Sequence, residues 1–461
     1  MLEFLDHRFF QEQDIYLVPF CLLLLLVGAL AVRRKYKDQV IEKYFLPALF
    51  LRFACAIGYA AVVYFYYGFG DTTLYYLATS DMRGALAVDS SVWSDIYLNI
   101  SLDPNSALYT YFMYDNGVGT HAYMLNNSNF MVPRFALPFS FLFGNSYLCI
   151  SFCMAFYSFG GCWRIFKMFV EQYPQLHKKL AIAVLFLPSV LFWGGSLVKD
   201  SISLGSLGYV LYGLYNIFLV RRKMLSSTVI VLLAGFILYV TKPYILLCLV
   251  PTFLLWVFIQ YRSRISNSSV RQFSTVFLGV VGLALMVFLM QQLTATEIAS
   301  QYSSDKILST VQGVQGSFSV EESSGSNFNV SSVNNSPFGL LLLFPLGIIS
   351  TLFRPFPWEA VNPLMILSSL EAFAFLFLTI MVFRRVGFRQ FWSIIGKDPA
   401  LLFCLLYSVL FAGIIGATTT NFGALVRYKI PCIPFYLIMI FVVMHRSGKF
   451  SPDIVFSKKF F

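Results

Sequence analysis

Five basic residues occupy the ends of apolar segments or the tight turns between them, where a membrane chain has few lysines and arginines. They are Lys199, Lys242, Arg354, Arg427 and Lys429. Converging lysine and arginine side chains suit a phosphate or pyrophosphate ligand, because arginine adds bidentate contacts. The alternative is that each side chain extends to lipid headgroups or pairs with a nearby acid. We favour one shared anion site, because all five occupy the same kind of position. The neighbours expected to support it are Asp200, Glu359, Tyr244 and Trp358.

Asp71 is the strongest candidate for a catalytic group. It follows Gly68-Phe69-Gly70, where glycine lets the backbone turn closely as the chain leaves an apolar run. A carboxylate in that place is suited to act as a general base toward an acceptor hydroxyl. The alternative role is a helix N-cap, because Gly-Asp-Thr-Thr is a typical start signal. The two roles are compatible, and these residues alone favour the cap.

Metal-binding motifs are absent from the sequence. The four histidines are far apart, and the eight cysteines lie mostly inside apolar runs without a Cys-x-x-Cys spacing. We therefore predict no metal ligands. A divalent metal stays open as a cofactor, because other acids in the first outer loop have the chemistry of weak metal ligands. No spacing singles out one of them; they are Asp81, Asp95, Asp103 and Asp115.

The elements that must position these residues are membrane helices. The 461-residue chain is 58% hydrophobic and only 12% charged, whereas soluble domains carry about a quarter charged residues. We predict an all-α, polytopic membrane protein that forms one integral membrane domain over residues 1–461. Eleven apolar runs are long enough to span a bilayer, namely 16–32, 44–67, 146–166, 180–196, 201–220, 225–241, 244–260, 272–291, 361–383, 399–417 and 428–444.

Clusters of lysine and arginine set the predicted topology. They follow the first, third, fifth and seventh runs, the run 361–383 and the last run, and such clusters favour the cytoplasmic side. The N-terminus is then outside and the C-terminus is cytoplasmic. The loops 68–145 and 292–337 lie outside, with helical segments such as 71–87. The run 338–353 must begin and end outside, so we predict a re-entrant or interfacial helix there.

The net charge of +11 is thereby explained by membrane orientation, and we predict no nucleic-acid partner. Asp71 and all five cations fall on the outer face in this topology. The expected surroundings are membrane lipids.

The pattern resembles the GT-C superfamily of multi-span glycosyltransferases over roughly residues 60–445. The likeness consists of an acid in the first long outer loop, followed by many spans and outer basic residues. The chain is also similar to bacterial membrane proteins associated with envelope polysaccharide synthesis, in the stretches Leu187-Pro188-Ser189-Val190-Leu191-Phe192-Trp193, Lys199-Asp200, Lys242-Pro243-Tyr244, Arg354-Pro355-Phe356-Pro357-Trp358-Glu359 and Asn421-Phe422-Gly423 with Arg427-Tyr428.

The resemblance implies an enzyme of the bacterial cytoplasmic (inner) membrane. It would transfer a sugar from a polyprenyl-phosphate-linked donor to an envelope glycan, lipid or protein acceptor on the outer face. Asp71 would orient or deprotonate the acceptor, while the five cations would hold the donor phosphate. Three alternatives stay open: a polysaccharide polymerase or ligase, a transporter of lipid-linked saccharides, and a non-catalytic scaffold in envelope assembly.

Overall fold

The computed structural model describes residues 9–114, 119–262, 337–419 and 421–450, and every regular element in these ranges is helical. Up to residue 262 the α-helices are, in chain order, α1 (Asp14–Arg33), α2 (Glu42–Val62), α3 (Asp71–Val88), α4 (Val92–Tyr97), α5 (Ala107–Tyr114), α6 (His121–Met124), α7 (Asn127–Leu142), α8 (Tyr147–Gln172), α9 (His177–Val184), α10 (Pro188–Trp193), α11 (Lys199–Leu214), α12 (Met224–Thr241) and α13 (Pro243–Arg262). From residue 337 they are α14 (Pro337–Phe353), α15 (Pro363–Val386), α16 (Phe388–Gly396), α17 (Pro399–Thr418), α18 (Phe422–Tyr428) and α19 (Ile433–Arg446).

The chain divides into two compact units. The first consists of Met1–Phe169, Val184–Ile217 and Arg222–Pro243, and the second of Val170–Ala183, Phe218–Arg221 and Tyr244–Phe461. The first unit therefore holds α1–α7, most of α8, and α10–α12. The second holds most of α9 and all helices from α14 onward, together with α13 after Pro243. The single domain proposed for residues 1–461 stays a prediction.

The helical membrane architecture is confirmed in its coarse form. Among the described residues, eight helices are long and apolar enough to cross a membrane, and they match eight of the eleven predicted runs. A ninth run, 428–444, corresponds to α18 and α19, which are bent by 65° relative to each other. Pro431 and Pro434 lie at this bend, and proline disfavours helix at and before its own position. The run 272–291 lies outside the described residues, so the count of about eleven stays unconfirmed.

The predicted span 180–196 is not a continuous helix. It is divided into α9 and α10, with Leu187 in an extended conformation (φ −72°, ψ 123°) directly before Pro188. The proline ring sterically disfavours helical backbone at the preceding residue. The chain then passes through Gly194 and Gly195 before α11 begins at Lys199. The interruption places the start of α11, and with it Lys199 and Asp200, after an irregular segment.

Two other predicted helices are present. The run 338–353 forms α14, and its re-entrant or interfacial placement stays a prediction. The helix expected around 71–87 is α3, within a loop 68–145 that also contains α4–α7. Of the second predicted outer loop, 292–337, residues 292–336 lie outside the described residues.

In the first unit, α8 and α11 approach each other at glycine residues. A Cβ added to Gly161 of α8 would lie against the backbone of Gly205 in α11, and one added to Gly208 would lie against the backbone of Gly161. Small residues of this kind let membrane helices approach closely and gain van der Waals contact. The spacing between α8 and α11 therefore depends on the absence of side chains at these positions.

In the second unit, α14 and α17 are in similar contact. Gly416 of α17 faces the backbone of Gly347 in α14. The Thr351 hydroxyl of α14 donates a hydrogen bond to the Ala412 carbonyl of α17 at 2.8 Å. Close packing at these glycines thus brings Thr351 within hydrogen-bonding distance of α17. It also fixes the position of α14, which ends directly before Arg354.

Replacing Gly161 with alanine is expected to destabilise the first unit by about 1–3 kcal/mol, because the new methyl group forces α8 and α11 apart. The matched control is Gly58→Ala in α2, where a Cβ has nothing within 4 Å and alanine is the better helix former. Thermal unfolding of the purified protein in detergent measures the difference. Equal melting temperatures for the two variants would contradict this account of the helix contact.

Candidate functional site

Asp71 begins helix α3 at the point where the chain turns. Gly68 adopts a left-handed conformation (φ 70°), which glycine accepts without steric cost. Gly70 is extended and occupies the N-cap position. The predicted N-cap role of Asp71 was therefore wrong by one residue, because Gly70 is the last residue with a non-helical backbone and Asp71 is the first residue of the helix. The carboxylate still lies in the first turn, where the helix dipole favours negative charge.

The half-buried Asp71 side chain belongs to a hydrogen-bonded group of tyrosines. The Tyr123 hydroxyl donates to Asp71 Oδ1 at 2.9 Å, and the Tyr75 hydroxyl lies 3.2 Å from that of Tyr123. Tyr75 also donates to Asn129 Oδ1 at 3.2 Å. The Asn129 amide donates back to the Tyr123 carbonyl at 2.8 Å. These contacts orient the carboxylate by means of α6 and α7.

Lys199 reaches the same end of α7. It is the first residue of α11, and its Nζ donates to Ser128 Oγ at 2.7 Å. Ser128 is the neighbour of Asn129, and both lie in the first turn of α7. A lysine at a helix N-terminus is opposed by the helix dipole, so the position favours a negatively charged partner. We call Asp71, Tyr75, Tyr123, Ser128, Asn129 and Lys199 the first cluster.

Lys242 and Asp200 form a buried ion pair beside the first cluster. Lys242 Nζ lies 2.5 Å from Asp200 Oδ1, and the exposed fractions of the two side chains are only 5% and 1%. Lys242 is the C-cap residue of α12, and Asp200 lies in the first turn of α11. Each charge therefore also suits the dipole of its own helix. The sequence left open whether Lys242 binds a ligand or pairs with an acid, and the structure shows the pairing. Its partner Asp200 is 42 residues away in the chain.

Arg52 supports the start of α11 from within α2. It is almost fully buried and donates to Ser158 Oγ at 2.7 Å and to the Gly194 carbonyl at 3.1 Å. Gly194 begins the irregular segment that leads to Lys199. The sequence interpretation missed Arg52, although an arginine inside an apolar span is a signal by itself.

In the second unit, Arg354 and Glu359 form an ion pair after α14. The guanidinium Nε donates to both Glu359 carboxylate oxygens at 3.0 and 3.1 Å, and NH2 contacts Oε1 as well. The backbone N–H of Phe356 donates to Glu359 Oε2 at 2.8 Å. Burial raises the pKa of the Glu359 carboxyl, but these hydrogen bonds and the charge of Arg354 together hold it below its usual value.

Lys429 joins this pair in what we call the second cluster, consisting of Arg354, Glu359, Lys429 and Phe422. The buried Lys429 Nζ donates to the Arg354 carbonyl at 3.0 Å. The guanidinium of Arg354 lies 4.9 Å from the centre of the Phe422 ring, a cation–π contact. Glu371, inside the predicted span 361–383, interacts electrostatically with Lys429. The second cluster thus joins the turn after α14 to both ends of α18.

The remaining candidates have different surroundings. Arg427 is half-buried in the last turn of α18. The Tyr244 ring packs against Phe411 at 5.8 Å. Trp358 is 74% exposed and stacks on Phe356 at 4.9 Å. Of Tyr244 and Trp358, Trp358 is more suitable for contact with a ligand, because its ring is exposed and close in the chain to the paired Arg354.

Within the described ranges, no group of three or more histidine, cysteine, aspartate or glutamate side chains is arranged to hold a metal ion. Asp81, one of the acids left open from the sequence, is buried and accepts a hydrogen bond from Thr120 Oγ1 at 3.2 Å. Asp103 is exposed and accepts from the backbone of Asn105. The absence of metal ligands stays a prediction for the whole chain.

Breaking the Lys242–Asp200 pair from one side is expected to destabilise the first unit strongly. Lys242→Met leaves a buried carboxylate without its cation, which costs about 3–5 kcal/mol. The double variant Lys242→Met/Asp200→Leu removes both charges and should recover most of that loss. Unfolding of the unmodified chain, Lys242→Met, Asp200→Leu and the double variant in a detergent titration gives the coupling energy. A double variant no more stable than Lys242→Met would argue against a compensated pair.

The Glu359 carboxyl makes stability depend on pH. Its pKa is lowered by folding from an ordinary value of 4.5, so its contribution is complete above that value and is lost as pH falls through the folded pKa. We expect Glu359→Gln to flatten the loss of melting temperature between about pH 5 and 3. Asp103→Asn, which removes an exposed carboxylate, is the control. An unchanged slope in Glu359→Gln would contradict the role of this pair.

Comparison with known proteins adds no relative. No family model matches the chain, no curated protein matches it, and no solved structure matches it. The resemblance to the GT-C superfamily therefore stays a prediction from the sequence motifs, and the functional argument depends on the two clusters.

Proposed function

We propose that this chain is a membrane glycosyltransferase of the GT-C type. The donor would be a sugar linked to polyprenyl phosphate, and the acceptor would be an envelope glycan, lipid or protein. The proposed location is the outer face of the bacterial cytoplasmic membrane, with the N-terminus outside and the C-terminus in the cytoplasm. The coarse membrane architecture supports the location, and the first cluster supports the chemistry.

One observation carries the proposal: hydrogen bonds link both Asp71 and Lys199 to the first turn of α7. Asp71 is linked through Tyr123 and Asn129, and Lys199 is linked through Ser128. A carboxylate and an ammonium group are thus both linked by hydrogen bonds to the same helix end. Glycosyl transfer from a phosphate donor needs this combination of a base for the acceptor and a cation for the departing phosphate.

The proposed reaction transfers one proton and exchanges one glycosidic bond. The acceptor hydroxyl gives its proton to the Asp71 carboxylate, and its oxygen bonds to the anomeric carbon of the donor. The bond from that carbon to the phosphate oxygen breaks, and the phosphate leaves with the electron pair. Lys199 would stabilise the added negative charge on the phosphate. Tyr123 would position Asp71 through its hydrogen bond.

The second unit supplies cations of the kind that bind phosphate. Contacts with Glu359 and Phe422 hold the planar guanidinium of Arg354 in a fixed orientation. Such an orientation favours bidentate recognition of a phosphate oxygen pair. We propose phosphate binding for Arg354, Arg427 and Lys429, with Glu359 as the orienting acid and Trp358 as an apolar neighbour. Lys242 has a different role in this proposal, because its ion pair with Asp200 is almost fully buried, whereas the Arg354 side chain is 23% exposed.

Asp71→Asn tests the catalytic role directly. Membranes containing the variant should transfer labelled lipid-linked sugar about 100- to 10,000-fold more slowly than the unmodified chain, because a general base contributes that much. Tyr123→Phe retains the carboxylate and should cause a smaller loss. Asp95→Asn, a half-buried acid of α4 that lies outside the first cluster, is the charge-matched control. Full transfer by Asp71→Asn would rule out the catalytic assignment.

A polysaccharide polymerase or ligase is the second candidate, and it is favoured by the oriented arginine of the second cluster. In that case arginines dominate and no aspartate base is needed, so Asp71→Asn should remain active while Arg427→Ala fails. A transporter of lipid-linked saccharides would move labelled lipid across the membrane without forming a new glycosidic bond. The same labelled substrate distinguishes the three functions.

A further inference from the structure

A basic, aromatic cavity lies in the first unit, away from the residues of the first cluster. It has a volume of ≈ 540 Å³, within the size range of small-molecule sites. Its walls come from the ends of α1, α8 and α11 and from the starts of α2 and α12. The lining residues include five cations, Lys35, Arg164, Lys167, Arg222 and Lys223, and no aspartate or glutamate among the described residues that form the wall.

The contacts of the three half-buried cations in this cavity include aromatic rings and neutral oxygens. Arg164 lies 4.2 Å from the centre of the Tyr209 ring and donates to the Gly160 carbonyl at 3.0 Å. Lys167 lies 5.2 Å from the Tyr36 ring and 5.6 Å from the Tyr212 ring. These contacts orient the cations while leaving their positive charge in place.

Arg222 completes the half-buried set. Its Nε donates to Asn216 Oδ1 at 2.8 Å, and its NH2 donates to the Tyr212 hydroxyl at 2.8 Å. Lys35 and Lys223 are exposed members of the wall. Five like charges around one cavity repel each other, and an anion between them removes this repulsion.

The cavity gathers charges that are far apart in the sequence. Lys35, Lys167 and Arg222 belong to three of the basic clusters that the sequence places on the cytoplasmic side. Cations that only orient helices need no common concave surface, because each can reach the headgroups separately. Here they share an aromatic wall with Trp163 and Tyr212. The arrangement is that of a binding site rather than of independent surface charges.

We propose that this cavity binds an anionic phosphate ester carried on an apolar or aromatic body. Arginine and lysine recognise the phosphate by charge-assisted hydrogen bonds, and the aromatic wall accommodates the attached body. Two sources carry this chemistry: an anionic phospholipid of the surrounding membrane, and a soluble nucleotide. The site is separate from the first cluster and does not depend on glycosyl transfer.

Binding measurements on the full chain test this site. Native mass spectrometry in detergent compares retention of phosphatidylglycerol with that of phosphatidylcholine, and equilibrium dialysis measures binding of labelled ADP. The variants are Lys167→Gln, Arg222→Gln and Lys35→Gln. The last replaces an exposed wall residue, so it leaves the helix packing intact. Lys43→Gln, an exposed lysine of α2 that is outside the wall, is the matched control.

We expect Lys167→Gln and Arg222→Gln to weaken binding of one probe by about tenfold, with a smaller loss for Lys35→Gln and none for Lys43→Gln. Phosphatidylglycerol retention with this pattern identifies a lipid ligand, and ADP binding with this pattern identifies a soluble one. The proposal fails if neither probe binds, or if the wall variants bind both probes as well as Lys43→Gln does. Transfer activity plays no part in these readouts, so this result and the glycosyltransferase test are independent.

Discussion

A charge removed from water costs several kcal/mol unless an opposite charge or a set of hydrogen bonds compensates it. In a chain that is only 12% charged, this constraint decides how the ends of the helices are joined. Asp200 and Lys242 tie the start of α11 to the end of α12. Arg52 reaches from α2 to the irregular segment before α11. The Asp200–Lys242 pair and Arg52 together therefore fix the place from which Lys199 extends.

The same constraint distinguishes two kinds of cation in this protein. Lys242 and Arg354 have carboxylate partners in contact, and their first role is to hold helices and turns in place. Arg164 and Lys167 contact aromatic rings, which orient a positive charge without neutralising it. Arg164 and Lys167 share with three other cations a cavity wall that includes no carboxylate among the described residues, and this shared wall is the physical basis for assigning a ligand to the cavity.

Ion pairs alone do not set the distance between two helix backbones, whereas close packing at glycine residues does. Gly161 and Gly208 bring the backbones of α8 and α11 together, and this approach brings Arg164 of α8 over the Tyr209 ring of α11. Glycine at the contact thus determines which side chains meet beyond it. A similar contact between α14 and α17 fixes the helix that leads to Arg354.

The apolar runs of the sequence were sufficient to predict the coarse helical membrane architecture, because apolar length is a local property. The sequence also identified Asp200 and Glu359 as acids able to contact cations. The sequence interpretation missed the helix break before Pro188, because the hydrophobicity of a run does not include the steric effect of proline on the preceding residue. The partners of Asp71 and the shared wall around Lys167 were decided only by tertiary structure, since hydrogen bonds and cation–π contacts join residues that are distant in the chain.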